Sequence, residues 1–500
     1  MDERKVPIIV GVGQHTNRSA DLADAREPLE MMVLVARKAE QDAQTLGLLS
    51  RLDSIRVVSP YSWTYVDPAA MLAERLDAQP QDKVYTGMGG DTPQVLVNQT
   101  ADAIAAGRVG LALLVGAEAL RSRSQARRQG VTLDWTPRAQ GVDIGEEIRR
   151  GINESEEAHG ARFPPEIYPL FENAIRAHKG RTIPEHQERL GELCARLTQV
   201  AQNNPYAWFQ KARTKEEIIT VGPDNRMIGF PYPKLMNAII EVDQAAGIIM
   251  TSAAMARQLG IPEERWVYVC AGAEGSDRWY FTERANYYTS PAIRTLGQKA
   301  LDMVDLSIDA IDYLDLYSCF PSAVQIARDM LGIPEDDPRP LTVTGGLPYA
   351  GGPWNNYSTH AIATMVERLR RERDKKGLVT ALGYYLTKHA IGVYAGTPSG
   401  HEWSRDDPAS YQQELAEGDH PELVLGPEGP AVVETYTVIY DRDGQPERGI
   451  VVGRLEDGRR FIANTETDAG VLEAMISEEA VGRRGHVRHD PAHGINSFRL

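Results

Sequence analysis

Four short stretches of the chain carry residue types that could do chemistry. The first, Gly89-Gly90-Asp91-Thr92-Pro93-Gln94, has the signature of a helix start. Thr92 is a good N-cap and Pro93 a favoured first helical residue, so Asp91 is expected just outside a helix N-terminus, where free amides and the helix dipole favour an anion. The same residues also describe a plain capping turn. The second, residues 313–320 (YLDLYSCF), reads as an apolar strand ending in Tyr317, Ser318 and Cys319; ligands in α/β sheets gather at such strand ends. No His or Lys flanks Cys319 to lower its pKa, so a buried thiol outweighs a nucleophile there and Tyr317 is the stronger acid–base candidate. The third, residues 345–360 (GGLPYAGGPWNNYSTH), is a loop whose glycines must turn sharply or approach something closely. It fits neither GxGxxG nor a Walker loop, which removes a nucleotide assignment by motif, and His360 reads as a packed helix residue before a catalyst. In the fourth, residues 381–390 (ALGYYLTKHA), a strand runs into Tyr384, Tyr385, Lys388 and His389. That set suits proton transfer if it converges on Tyr317, and is otherwise a solvated turn.

The elements around these stretches alternate. Residues 7–13 (PIIVGVG) read as a buried strand, and residues 28–49 as a helix with Leu29, Met32, Val33 and Ala36 on one stripe. A strand at 55–59, a helix at 69–76, the glycine turn, a helix at 93–106 and a strand at 111–115 follow. This alternation predicts an α/β protein with a mainly parallel, helix-covered sheet. About 260 residues later the order returns. Ser290-Pro291 opens a helix striped by Ile293, Leu296, Ala300 and Val304; a strand at 311–316 follows. Glycine pairs then precede a helix carrying Ile362, Met365, Val366 and Leu369, with a strand at 378–382 after it. Two copies of one unit imply a layered pseudo-dimer over residues 1–123 and 261–396, with the more polar residues 124–260 as an inserted loop subdomain. Residues 397–408 read as a linker. Beyond it, alternating strands at 432–440, 449–455 and 460–463 are separated by Asp443-Gly444 and Asp457-Gly458. Those are hairpin signals, and they predict a small, separate β domain over 409–500.

Composition narrows the function. Of 500 residues, 54 are Lys or Arg and 70 are Asp or Glu, a formal net charge of −16, with no basic arm or stripe of the kind that binds nucleic acid. With 42% hydrophobic and 25% charged residues the composition is that of an ordinary globular protein. The short apolar run after the charged N-terminus suits neither a signal peptide nor a membrane span. Three scattered cysteines, Cys194, Cys270 and Cys319, build neither a disulfide framework nor a zinc site, which suits a reducing cytoplasm.

Taken in order and spacing, GGDTPQVLVNQTADAIAAGR, residues 168–207 (YPLFENAIRAHKG to NNPYA), VDQAAGIIMTSAAMA, YSCF, GGLPYAGGP and ALGYYL resemble the thiolase superfamily, nearest its sterol-carrier-protein branch, over about residues 6–395. With the β domain the whole chain resembles the thiolase-like protein type 1 group, whose members carry an added C-terminal domain. The resemblance implies a duplicated five-layered α-β-α-β-α body and an OB-like appended domain. It also implies acyl-CoA esters as substrate or ligand, with no other bound cofactor and no metal. For partners it implies a homodimer paired through a strand near the first glycine turn, with a monomer as the alternative, and a protein partner recruited by the β domain. The family's chemistry uses a Cys at the first helix N-terminus, a His in a Gly-His-Pro turn, a strand-end Asn or His and commonly a second Cys. Here Asp91, Gly352, Tyr317 and residues 382–384 stand at those places. Without a thiolate and its His the covalent acyl-enzyme route has lost its parts.

Two expectations of different classes follow. The chain is an acetyl-CoA acetyltransferase-like enzyme without Cys-dependent thiolysis, in one form a retro-aldol lyase on a β-hydroxyacyl-CoA. Its acid–base groups would come from Tyr317, Tyr384 (or Tyr349), His389 and Asp91. Alternatively it is a noncatalytic CoA-ester binder or scaffold. Either way Gly90, Gly346, Gly351 and Gly352 would line the ligand, and Arg121, Arg123, Arg127 and Arg128, or Lys211, Arg213 and Lys215, would meet its phosphates.

Overall fold

The computed structural model describes residues 2–139 and 149–500. The N-terminal half runs β1 (Pro7–Thr16), α1 (Pro28–Asp42), β2 (Ser54–Val57), α2 (Pro68–Arg75), β3 (Asp82–Tyr85), α3 (Thr92–Ala105), β4 (Leu111–Ala119) and α4 (Leu120–Gln129). After α5 (Glu154–Ala158), α6 (Pro164–His178), α7 (Ile183–Ala201), α8 (Lys215–Ile219), β5 (Met227–Gly229) and β6 (Tyr232–Pro233), the chain returns to the body with β7 (Asp243–Ser252) and α9 (Ala253–Gln258). The second half is β8 (Val267–Ser276), α10 (Pro291–Asp302), β9 (Tyr313–Asp315), α11 (Pro321–Met330), α12 (Leu347–Ala350), α13 (Tyr357–Arg371), β10 (Lys376–Gly383) and β11 (Lys388–Ala395). Last come α14 (Ala409–Glu417), β12 (Gly429–Tyr440), β13 (Pro446–Leu455), β14 (Arg460–Thr465), α15 (Ala469–Ser477), β15 (Arg484–Asp490) and β16 (Ile495–Arg499).

Nine strands order as β3-β2-β4-β7-β1-β8-β11-β10-β9. The strands of the two halves pair where Ile8 and Ile9 of β1 face Tyr268 and Val267 of β8. β1, β2, β4 and β7 repeat as β8, β9, β10 and β11. α3 lies against β4 and β7 of its own half and β8, β10 and β11 of the other, and α13 packs against β1, β7 and β10. With α1 outside the first half and α10 outside the second, this is the expected α-β-α-β-α stack.

The sheet is mixed, not mainly parallel. β2–β3, β2–β4 and β9–β10 are parallel, whereas β4–β7, β7–β1, β1–β8, β8–β11 and β11–β10 are antiparallel. The cause is two strands with no sign of alternation in the sequence. β7 lies inside the stretch expected as an insertion, yet it runs between β4 and β1 with every residue buried, so the insertion ends before it. β11 returns from β10 through a tight turn in which Tyr384 and Leu386 take left-handed backbone, φ 55° and 60°. Strands buried on both faces lose the period-2 pattern. α1 also stops earlier than expected, at Asp42, because Gln44 and Gly47 follow with φ of 56° and 79°.

The C-terminal sheet, β13-β14-β16-β15-β12-β5-β6, takes its last two strands from the insertion. Both Asp-Gly pairs lie between strands as expected, with φ 81° at Gly444 and 84° at Gly458. Alternate residues of a strand face opposite ways. Tyr436, Val438, Val451 and Phe461 accordingly build this unit's own core with Phe230. Ile439, Ile450, Val452 and Ile462 belong to the core of the body. The unit expected to be separate is therefore packed into the rest.

Candidate functional site

The site forms at the head of α3. Three bonds fix the turn before it: Gly89 N donates to Asn355 Oδ1 (3.0 Å), Thr92 Oγ1 donates to Gly89 O (2.8 Å), and Lys388 Nζ donates to Met88 O (2.6 Å). Thr92 spends its hydroxyl on this turn instead of capping the helix. Asp91 is the N-cap residue, but with helical backbone (φ −74°, ψ −27°) and no side-chain cap bond. Its carboxylate instead faces Lys388, with Oδ1 3.3 Å from Nζ. Asp91 is 5% exposed and Oδ1 accepts no hydrogen bond, so a buried anionic acceptor is held at the positive end of a helix.

Tyr317 reaches the same point from the end of β9. Its amide donates to Thr380 Oγ1 (2.8 Å) and its ring meets Tyr357 edge-on at 5.4 Å. A Cβ on Gly90 would overlap the Tyr317 hydroxyl and lie 2.6 Å from Leu382 O, so glycine at 90 is what lets the phenol touch the head of α3. Burial, with Cys319 and the Asp91 carboxylate adding to it, pushes this phenol well above its ordinary pKa, and it is an O–H donor at neutral pH.

The fourth motif divides between the faces of β11. Gly383 pairs with Lys388 and Leu382 with His389, so the pleat turns Lys388 toward Asp91 and His389 away. His389 Nε2 lies 2.9 Å from Leu386 O and 3.3 Å from Asp277 Oδ2. Asp277 also accepts from Arg284, Ser290 Oγ and the Ala292 amide at the start of α10. Burial would raise its carboxyl, but Arg284, His389 and Ser290 outweigh that and bring it down to about 2. Tyr384 carries Lys388 over its ring at 5.2 Å, and its hydroxyl donates to Arg149 O at 3.2 Å. Tyr349 is buried on α12, beside Cys194. Asp91, Tyr317, Gly90 and Lys388 thus come together, with Tyr384 at their edge; His389 faces away from Asp91 but lines a cavity of about 10 Å³ with Tyr317, and Tyr349 lies apart.

The glycines of the third motif close on the protein's own atoms. Gly351, at φ 109°, leaves no room for a Cβ beside Gln244, and one on Gly346 would lie 2.8 Å from Ser318 Oγ. Gly352 donates its amide to Ile239 O at 2.8 Å. Two neighbours missed in the sequence stitch the halves at this loop. Asn355 joins Gly89 to Ser59 O (2.8 Å), and Asn356 donates to Gly116 O (2.7 Å). The adjacent Asn pair after Pro353 was the available signal: amides both donate and accept, as a bridge between segments requires. Next to them Trp354 stacks on Tyr61 at 4.1 Å, and Glu118 holds the Tyr61 and Ser62 amides at 2.6 and 2.8 Å.

Residues 410–492 match the family described as the thiolase-like protein type 1 additional C-terminal domain. The whole chain superposes on the crystal structure of a monomeric SCP2-thiolase like protein type 1 from Mycobacterium smegmatis, with TM-score 0.87 and 32% identity over 100% of both chains. The chain belongs to the SCP2-thiolase-like protein type 1 family. The Ltp2-ChsH2(DUF35) aldolase structure shares the fold more distantly, with TM-score 0.59 and 18% identity over 78% of this chain and 98% of that one. A curated relative, the β-ketoadipyl-CoA thiolase of Pseudomonas aeruginosa, is 27% identical over 223 residues. That match spans 44% of this chain and 46%, less than half, of the relative.

In this SCP2-thiolase-like protein the three thiols are all buried, and burial pushes Cys194, Cys270 and Cys319 up to about 12. A thiolate nucleophile is thus unfavourable at each of them near neutral pH. Arg127 and Arg128 occupy the exposed last turn of α4, where cations complement the helix dipole, and Arg128 pairs with Glu241 at 3.5 Å. On the same helix Arg123 donates to Ser62 O (3.1 Å) and Arg121 lies over Trp208 at 5.3 Å. Lys211 and Lys215 pair with Glu217 and Glu188 at 3.3 and 2.5 Å. Among the described residues no group of His, Cys, Asp and Glu could hold a metal ion, and no helix is long and apolar enough to cross a membrane.

Proposed function

We propose that this protein acts on acyl-CoA esters by acid–base chemistry, without a covalent acyl-enzyme, and that the reaction is a retro-aldol cleavage of a β-hydroxyacyl-CoA. The observation that carries this reading is the Asp91–Lys388 pair at the head of α3, with the Tyr317 hydroxyl against Gly90. Asp91 Oδ1, buried and without a hydrogen bond, takes the proton of the β-hydroxyl. The bond between the α- and β-carbons breaks, a carbonyl compound leaves, and the electron pair passes into the thioester as an enolate. Tyr317 gives its proton to the α-carbon; proton exchange between Asp91 and Tyr317 then restores both groups.

A lone carboxylate at position 91 would repel the enolate. Lys388 answers that objection by placing a cation 3.3 Å from it. The Gly90 and Asp91 amides just ahead of α3 add oxyanion donors, each worth about 3 kcal/mol in comparable sites, whereas the Gly89, Thr92 and Gln94 amides are spent on the turn. α4, anchored to the loop beside the site through Arg123 and Ser62, supplies positive charge for the phosphates from Arg127. The curated relative named for a CoA thioester, the β-ketoadipyl-CoA thiolase, supports the substrate class.

The test mixes purified protein with CoA, acyl-CoA and β-hydroxyacyl-CoA esters, following binding, product and intact protein mass together. Cleavage of the hydroxyacyl ester with no acyl adduct on the protein is expected. An acyl adduct would sink the mechanism, and binding without turnover across the panel would make the protein a CoA-ester binder instead.

A further inference from the structure

We propose that one buried water is bound between His360 and Gln244, bridging α13 to the glycine loop at Gly351. His360 is 5% exposed, and its Nδ1 lies 2.8 Å from Gln14 Oε1. The Gln14 amide is oriented by its own Nε2, which donates to Thr364 Oγ1 at 3.2 Å. An acceptor therefore faces Nδ1, and Nδ1 carries the imidazole proton. His360 Nε2 is left as a bare acceptor, buried and without a partner. Burial, with His15 nearby, holds this imidazole down to about 3, so it stays neutral.

Gln244 has the same deficit from the other side. Its Nε2 donates to Thr16 Oγ1, Tyr206 O and Ala350 O at 3.3, 3.1 and 2.9 Å. That fixes the amide and leaves Oε1 as a second buried acceptor without a partner. Both side chains, with Gln14, Tyr206 and Gly351, line one cavity of about 10 Å³. This is the space of a single water, and polar walls with unmet bonds are the condition under which such a space is hydrated. Two bare acceptors require a molecule with two donor hydrogens. Water supplies them, whereas an anion or a carbonyl compound supplies none. The bridge joins the helix whose Ser358 donates to Gly90 O with the loop that Gln244 already holds through Ala350 O. His360 has no part in the chemistry proposed above, so the two ideas stand or fall separately.

The test is a crystal structure of the full chain at a resolution that shows ordered water. A single peak within about 3.2 Å of both His360 Nε2 and Gln244 Oε1 is expected. In Gln244→Leu, which keeps the volume and removes the acceptor, the peak should be lost. Absence of the peak in the unsubstituted protein, a peak touching neither atom, or its persistence unchanged in Gln244→Leu would overturn the proposal. So would a peak found only in crystals grown with ammonium. Should Gln244→Leu fail to fold, nitrogen shifts of His360 in the unsubstituted protein decide: a proton on Nδ1 with a hydrogen-bonded Nε2 is expected, and a proton on Nε2 refutes it.

Discussion

Lys388 is what makes a buried carboxylate tolerable at position 91, and a double-mutant cycle measures this without knowing the reaction. At 3.3 Å the gross attraction is about 5 kcal/mol for an effective dielectric of about 20. Desolvation of both groups cancels part of it. Lys388→Met keeps the aliphatic stem but strands the Asp91 charge, a loss of about 3 kcal/mol. Asp91→Asn should cost only about 1 kcal/mol, because Lys388 keeps its bond to Met88 O and its place over Tyr384. In the double variant nothing charged is left unpaired, so the total should be about 2 kcal/mol, below the sum of the single losses by a coupling of about 2 kcal/mol. Chemical unfolding of the four proteins reads these values. Losses that add to within about 0.5 kcal/mol would refute the pairing.

The remaining expectations concern chemistry and titration. Tyr317→Phe should abolish cleavage of a β-hydroxyacyl-CoA while Cys319→Ala keeps at least about a tenth of it, since the thiol at about 12 is not ionised; a steady-state assay giving the reverse order would show that the wrong side chain was chosen. Asp91→Cys alone should give no thiolysis, because the resemblance puts Gly352 in the place of the partner His; product formation from acetoacetyl-CoA and CoA would contradict this. Burial raises Glu118 to about 7, so between its ordinary value and 7 the folded protein keeps a proton that the unfolded chain has released, and stability falls as pH rises through that window. Glu156, also raised by burial to about 7, acts in the same direction, while His15 and His360, held by burial to about 4 and about 3, act in the opposite one. Glu118→Gln should therefore remove one falling contribution, of at most about 1.4 kcal/mol per pH unit, from the slope of unfolding free energy between pH 5 and 7; an unchanged slope would be the contrary result.

The legible parts of the site were those carried by element ends. Asp91 follows a glycine pair and precedes Thr-Pro, and Tyr317 ends an apolar strand; both signals are local. Lys388 was harder to place. It follows a turn made by two non-glycine residues with left-handed backbone, and β11 after it is buried on both faces, so the sequence shows neither a turn residue nor an alternation. β7 was hidden for the same reason, which shifted the edge of the insertion and gave the sheet the wrong sense. In the C-terminal unit Asp-Gly turns marked the first hairpins. Its second buried face gave no warning, because an apolar residue pointing at another subdomain looks like one pointing at its own.

That second face has a consequence for synthesis. Thr437 of β12 bonds to Phe230 O across 207 residues, and Ile439 pairs with Gly229. At about 5–20 residues per second, the insertion waits about 10–40 s on the ribosome before the strand that completes its sheet is made. Until then β5 offers an open edge and α6 an uncovered apolar side, so the nascent chain, more than the finished protein, is where aggregation or chaperone capture would act.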